Sequence, residues 1–171
     1  YSGPFNNLLK ELNRDPRWMK LNRMKKTADQ RFTKEELILR LFAFNNRYES
    51  YGGRLAKFLN DYMADEKNCT QDELEEKKQL FIRTVTIVYE RVYNETGPTT
   101  RTPISVIEAT LVGVARNINT IFNLPAPEIK RRHEQMLQHE EFSEQRLSEG
   151  LAGKQRLISR IGAAVNAFAG T

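Results

Sequence analysis

"RFTKEELILRLFAFNNRYESYGGRLAKFLNDYM", residues 31–63, is the stretch on which the fold turns. Leu37, Leu41 and Phe44 fall on one face at helical spacing, with Ile38 and Phe42 beside them, which makes a stripe wide enough to be buried on more than one side. Thr33 followed by Glu36 has the form of a capping box and predicts a helix start there. Gly52 and Gly53 end a turn, and Leu55, Phe58, Leu59 and Tyr62 open a second amphipathic helix. Because Phe42, Phe44, Phe58 and Tyr62 sit on the apolar stripes, packing rather than base stacking is expected of them. Tyr48 and Tyr51, in the turn, are expected to be freer to meet a ligand. Arg40 has apolar neighbours on both sides, so its guanidinium must either reach outward or pair with an acid.

Helical spacing continues in both directions. Phe5, Leu8, Leu9 and Leu12 form a first short helix ended at Asp15 and Pro16, and Trp18, Leu21 and Met24 suggest another after the proline. Thr70 and Glu73 form a second capping box. From there Leu74, Phe81, Val85, Val88 and Val92 run through what is expected to be the longest helix, ending before Gly97 and Pro98. Its segment "TVTIVYERVY" is rich in β-branched residues, yet the apolar intervals match a helix better than alternation. Thr102 and Pro103 carry an N-cap and first-turn signature ahead of Ile104, Ile107, Leu111, Val114 and Ile118. Pro125 and Pro127 break that stripe, a polar helix follows over 128–139, and Gly153 precedes a last helix with Leu157, Ile158, Ile161, Val165 and Phe168. The expected class is all-α: an irregular bundle of six to eight helices with no sheet. The 171 residues suit a single helical domain over 1–171, either as one bundle or with 126–171 as an appended helical segment.

The charge is uneven. Between Lys10 and Lys34 nine Lys or Arg face three acids, a local +6 against +5 for the whole chain. Clustered cations of this kind either contact phosphates, releasing counterions, or form a solvated surface. Acids dominate instead over 65–78 and 140–149. Apolar runs are short and broken by charge, so neither a membrane span nor a leader is expected. The lone Cys69 allows no internal disulfide and fits a reducing, cytoplasmic setting. The chain opens on Tyr1-Ser2-Gly3-Pro4, which reads as the interior of a longer protein.

Little in the sequence suggests catalysis. His133 and His139 are six residues apart, which does not place two imidazoles on one metal. Glu134, Glu140 and Glu141 belong to a polar helix and its end, where solvated carboxylates are the rule. No Gly-rich phosphate loop, nucleophile elbow or Cys and His pairing is present, so no catalytic residue, metal ligand or cofactor is expected.

The ordered pieces "YSGPFNNLLKELN", "WMKL", "FTKEELILRLFAFNNRYESYGGRLAKFLNDYM", "RTPISVIEATLVGVA" and "KQRLISRIGAAVNAF" resemble the helical second half of the GmrSD-type family. That family is catalogued as a domain of unknown function and is similar to the N-terminal part of modification-dependent restriction endonucleases. Its "LRFFAF", tyrosine, "FLN" pattern is matched by Leu39 to Phe44, by Tyr51 and by Phe58, Leu59 and Asn60. The resemblance implies a bacterial parent with an upstream ParB- and sulfiredoxin-like α/β domain that acts as a nuclease or nucleotide hydrolase. The Asp-Gly-Gln-Gln-Arg type motif of that domain does not occur in these residues, nor does a His-Asn-His nuclease domain. Arg40 and Arg101 match family positions, with no role attached.

Two functions are therefore expected of different kinds. One is a helical accessory region of a DNA-targeting, restriction-like or phage-defence protein. It would hold DNA through Lys20, Arg23, Lys25, Lys26, Arg31, Arg131 and Arg132, helped by Lys154, Arg156 and Arg160. The other is a protein-interaction or oligomerisation module, packed on the upstream domain or on a second copy, with no nucleic-acid role.

Overall fold

The computed structural model describes residues 2–23 and 28–171, with the backbone alone over 28–33. Met24, Lys25 and Lys26 lie outside the described residues, as does the side chain of Arg31. The described residues form ten α-helices and no strand, a few more than the periodicity suggests, because short helices fill what read as turns. They are α1 (Pro4–Leu12), α2 (Pro16–Leu21), α3 (Ala28–Arg47), α4 (Leu55–Asp65), α5 (Gln71–Ile87), α6 (Ile104–Arg116), α7 (Ile118–Ile121), α8 (Ala126–Gln138), α9 (Glu144–Ser148) and α10 (Lys154–Ala169).

Local chemistry accounts for several boundaries. Asp15 stops α1 and caps α2: its carboxylate accepts from the amides of Arg17 at 2.9 Å and Trp18 at 3.1 Å, and Pro16 fills the first turn. Thr70 caps α5 by accepting from the Glu73 amide at 3.2 Å. The Glu73 carboxylate returns to the Thr70 hydroxyl rather than to its amide. Three boundaries differ from expectation. α3 begins at Ala28, ahead of Thr33, because Ala, Gln and Arg propagate a helix well and Thr33 keeps helical geometry. α5, of 17 residues, continues without a break into the five of Val88–Val92, and this run is longer than the 20 residues of α3, as expected. "TVTIVYERVY" is helical as expected, but at Val88–Val92 it widens into a π turn, where crowded β-branched residues give up the tighter ladder. At α6, Pro103 rather than Thr102 is the N-cap residue, since the Thr102 carbonyl is taken by Arg23.

α6 is the axis. Every residue from Val106 to Ala115 is buried, and α3, α5 and α10 pack around it. Phe42, Phe44, Phe58 and Tyr62 are core residues, as their periodicity predicts. Phe44 and Phe58 stack at 5.4 Å, and Phe5 meets Phe42 and Tyr62 edge-on. α8 lies against α10 and the π turn. The turn tyrosines depart from expectation. Tyr51 is fully buried and donates from its hydroxyl to the Ala152 carbonyl at 2.6 Å, while Tyr48 lies under the Arg116 guanidinium. Neither is free for a ligand, because α10 and the segment before it close over the turn.

α6 and α10 approach so closely that a Cβ on Gly113 would come within 2.7 Å of the Phe168 ring and 2.9 Å of the Ala164 carbonyl. Gly162, in α10, faces only Tyr48 at 3.8 Å. The two glycines should respond oppositely to alanine. Gly113→Ala is expected to cost about 1–3 kcal/mol through overpacking, and Gly162→Ala to gain about 0.5–1 kcal/mol through helix propensity. Urea denaturation midpoints check both signs.

Candidate nucleic-acid interface

A carboxylate inside an apolar helix is tolerated only with partners. Glu108 on α6 is almost fully buried, and Arg40 on α3 meets it with two parallel hydrogen bonds, Nε to Oε2 at 2.6 Å and Nη2 to Oε1 at 2.9 Å. Of the two routes open to Arg40, pairing is therefore the one taken. Its guanidinium also lies 5.6 Å from the Phe44 ring centre. Burial pulls on the guanidinium's proton, but the Glu108 carboxylate outweighs it, so Arg40 holds its proton more tightly than an ordinary arginine.

Arg160, on α10, is 2 % exposed and feels the charges of both Glu108 and Glu141, itself buried. It donates from Nη2 to the Leu151 carbonyl at 3.0 Å, while its buried Nε has no partner. Burial lowers its proton affinity. Arg160 is thus an interior residue and cannot serve an external phosphate. Sequence reasoning missed Glu108, since a glutamate on an apolar helix gives no local sign of its partner, and Glu141, expected to be solvated, is instead buried. Glu108→Ala should cost about 3–5 kcal/mol by stranding Arg40, whereas Arg40→Met combined with Glu108→Leu should cost clearly less. A double-mutant cycle in urea would register the difference.

The other cations sort by what holds them. Arg131 and Arg132 share Glu128: Arg131 makes two bonds to it at 2.9 and 2.7 Å, and Arg132 makes one at 2.9 Å. Both guanidinium groups hold the Glu128 carboxyl down at about 2. Arg132 also donates to the Phe168 carbonyl at 2.8 Å, tying α8 to the last turn of α10. These two positions are therefore engaged within the fold. Arg156 reaches the Arg146 carbonyl, and Lys154 is exposed.

A different set converges at the edge where α2, the start of α3 and the turn before α6 meet. Arg23, at a positive φ of 52°, donates from Nη1 to the Thr99 carbonyl and to the Thr102 carbonyl at 2.9 Å. Arg101 is exposed within that braced turn. Lys34 lies close enough to Arg23 that burial first, and the guanidinium second, hold its ammonium below the ordinary lysine value. Lys20 is exposed and donates to the Tyr89 hydroxyl at 3.3 Å. Beside this edge a crevice lined by Trp18, Asn22, Leu37, Leu41, Ile104, Glu108 and Leu111 has room for no more than about one water. Among the described residues the edge is a charged rim.

Two further groups bear on chemistry. Glu66, Cys69 and Glu73 place donor atoms within 4.8 Å of one another, yet the Lys77 ammonium already sits 3.1 Å from Glu66. Burial and the Glu66 carboxylate push the Cys69 thiol up to about 12, so it remains protonated and donates to Glu66 at 2.7 Å. His133 lies edge-on to Tyr93 and stacked on Phe168, and among the described residues neither its Nε2 nor the Tyr93 hydroxyl, which lies toward Thr110, has a partner in hydrogen-bond geometry. Burial drops His133 to about 4. The unfolded chain binds this proton near 6.5 and the fold resists it until about 4, so its contribution is complete above pH 6.5 and is lost as pH falls toward 4. His133→Phe should flatten the pH dependence of stability in that window, as read from urea midpoints between pH 7 and pH 4.

No family model, curated protein or solved structure matches this chain. Among the described residues no helix is long and apolar enough to cross a membrane.

Proposed function

We propose that this chain is a helical accessory region of a DNA-targeting protein of the restriction-like or phage-defence kind, and that it contacts nucleic-acid phosphates through the edge carrying Lys20, Arg23, Lys34 and Arg101. The gathering of these cations at one edge, where Arg23 braces the Thr99 and Thr102 carbonyls and its charge reaches Lys34, carries this reading. Two like charges held together repel, and a phosphate between them would relieve the repulsion while releasing counterions. Among the described residues neither is joined to a carboxylate by an ion pair. Lys25, Lys26 and Arg31 belong to the same cation-rich run of sequence. The family resemblance points in the same direction. Arg131 and Arg132 contribute little, because Glu128 already neutralises them in part.

The test is fluorescence anisotropy of labelled duplex DNA at low and moderate salt. Lys34→Glu with Arg101→Glu should weaken binding at least about ten-fold and reduce the salt slope by roughly 1–2. Reversing Lys25, Lys26 and Arg31 should have a comparable effect, and Arg131→Ala should stay within about two-fold of the parent. Absence of binding at low salt would sink the reading.

A further inference from the structure

We propose that the groove between α5 and α7 docks a basic amphipathic segment of a protein partner. The groove encloses about 820 Å³ and is open to solvent. Its α5 wall carries Asp72, Glu75 and Glu76, and its apolar side is made by Leu80 and Ile118. Phe122 follows Ile118 by one turn and extends this apolar side; it is 47 % exposed, one of only two large apolar side chains so exposed among the described residues.

Three observations argue for the occupant. The first is charge. No ion pair engages Asp72, Glu75 or Glu76 among the described residues, and Glu75 accepts a hydrogen bond from Gln79 at 3.0 Å. On a chain with net charge +5, the three acids of this wall outnumber the two cations near it, Arg83 in the lining and Arg91 beside Phe122. The wall repels a polyanion and suits lysines or arginines.

The second observation is rigidity. Arg91 donates to the Phe122 carbonyl at 3.0 Å and the Leu124 carbonyl at 3.3 Å, and the Arg83 guanidinium stands 5.6 Å from the Phe122 ring centre. An exposed aromatic held in place from both backbone and ring has already lost the freedom that binding would otherwise cost. The third is shape. Asp72, Glu76, Leu80 and Arg83 recur at helical spacing along one face of α5, and an open groove that follows a helix face accepts a helix or extended segment better than a small compact molecule. The proposal is independent of the nucleic-acid edge, which is built from other elements.

The experiment uses the whole chain and a fluorescein-labelled peptide of Leu and Lys whose leucines lie on one helical face. An isomer of the same composition with scattered leucines is the control. The amphipathic peptide should bind at least about ten-fold tighter than its isomer. Phe122→Ser and Glu76→Lys should each weaken it at least about five-fold, and Glu75→Gln, which keeps size and removes charge, should weaken it less. All three positions are exposed, and circular dichroism confirms that the variants fold. Equal affinity for the two peptides, no effect of the variants, or no binding would overturn the proposal. Glu76→Lys should leave duplex DNA binding unchanged or stronger, and a parent chain that binds the amphipathic peptide but no duplex DNA would refute the phosphate-contacting edge and leave this groove standing.

Discussion

One buried carboxylate sets the terms for the interior. Glu108 occupies α6, a helix covered on all sides, and its charge could not be left there unpaired. The two-bonded contact from Arg40 fixes the rotation of α3 against α6, since a planar guanidinium meets a carboxylate this way in few orientations. Arg160 brings α10 to the same centre without touching Glu108 in an ion pair, and it donates its direct bond to the Leu151 carbonyl. Two helices, α3 and α6, are thereby oriented by electrostatics in a core that apolar packing alone would leave more permissive.

The same economy of charge runs through the rest of the molecule. Arg23, Arg91, Arg116, Arg132 and Arg160 all donate to backbone carbonyls in other segments. Carbonyls at helix ends and in turns need such donors, and the broad fork of an arginine supplies them where a lysine would not. A net charge of +5 therefore overstates the cationic surface available to a partner. The surface that remains is divided, with like charges gathered at the α2 edge and unneutralised acids along α5.

Buried polar groups without partners mark where this packing is least settled. His133 and Tyr93 present two such atoms beside each other, next to the π turn that ends at Val92. A π turn shifts the residues after it out of helical phase, and it is this shift that brings Tyr93 against α8. Burial drives both groups toward their neutral forms, His133 down to about 4 and Tyr93 up to about 12. The α8 contact thus weakens in acid for a reason distinct from the carboxylates elsewhere.

By itself the sequence determined the all-α class, the aromatic core of Phe42, Phe44, Phe58 and Tyr62, and the helix ends at Asp15 and Thr70. Those features depend on spacing and on hydrogen bonds spanning a few residues. Tertiary structure decided the rest, because each case turns on partners far away in the chain. Arg131 and Lys34 look alike in a sequence, yet one is neutralised by Glu128 and the other is partly buried within reach of the Arg23 charge. Tyr51 sits in a turn but is sealed by a carbonyl a hundred and one residues onward. Glu108 resembles any glutamate on a helix until Arg40, sixty-eight residues away, closes on it. Local periodicity shows which residues share a face; only the packing of helices shows which charges that face must satisfy.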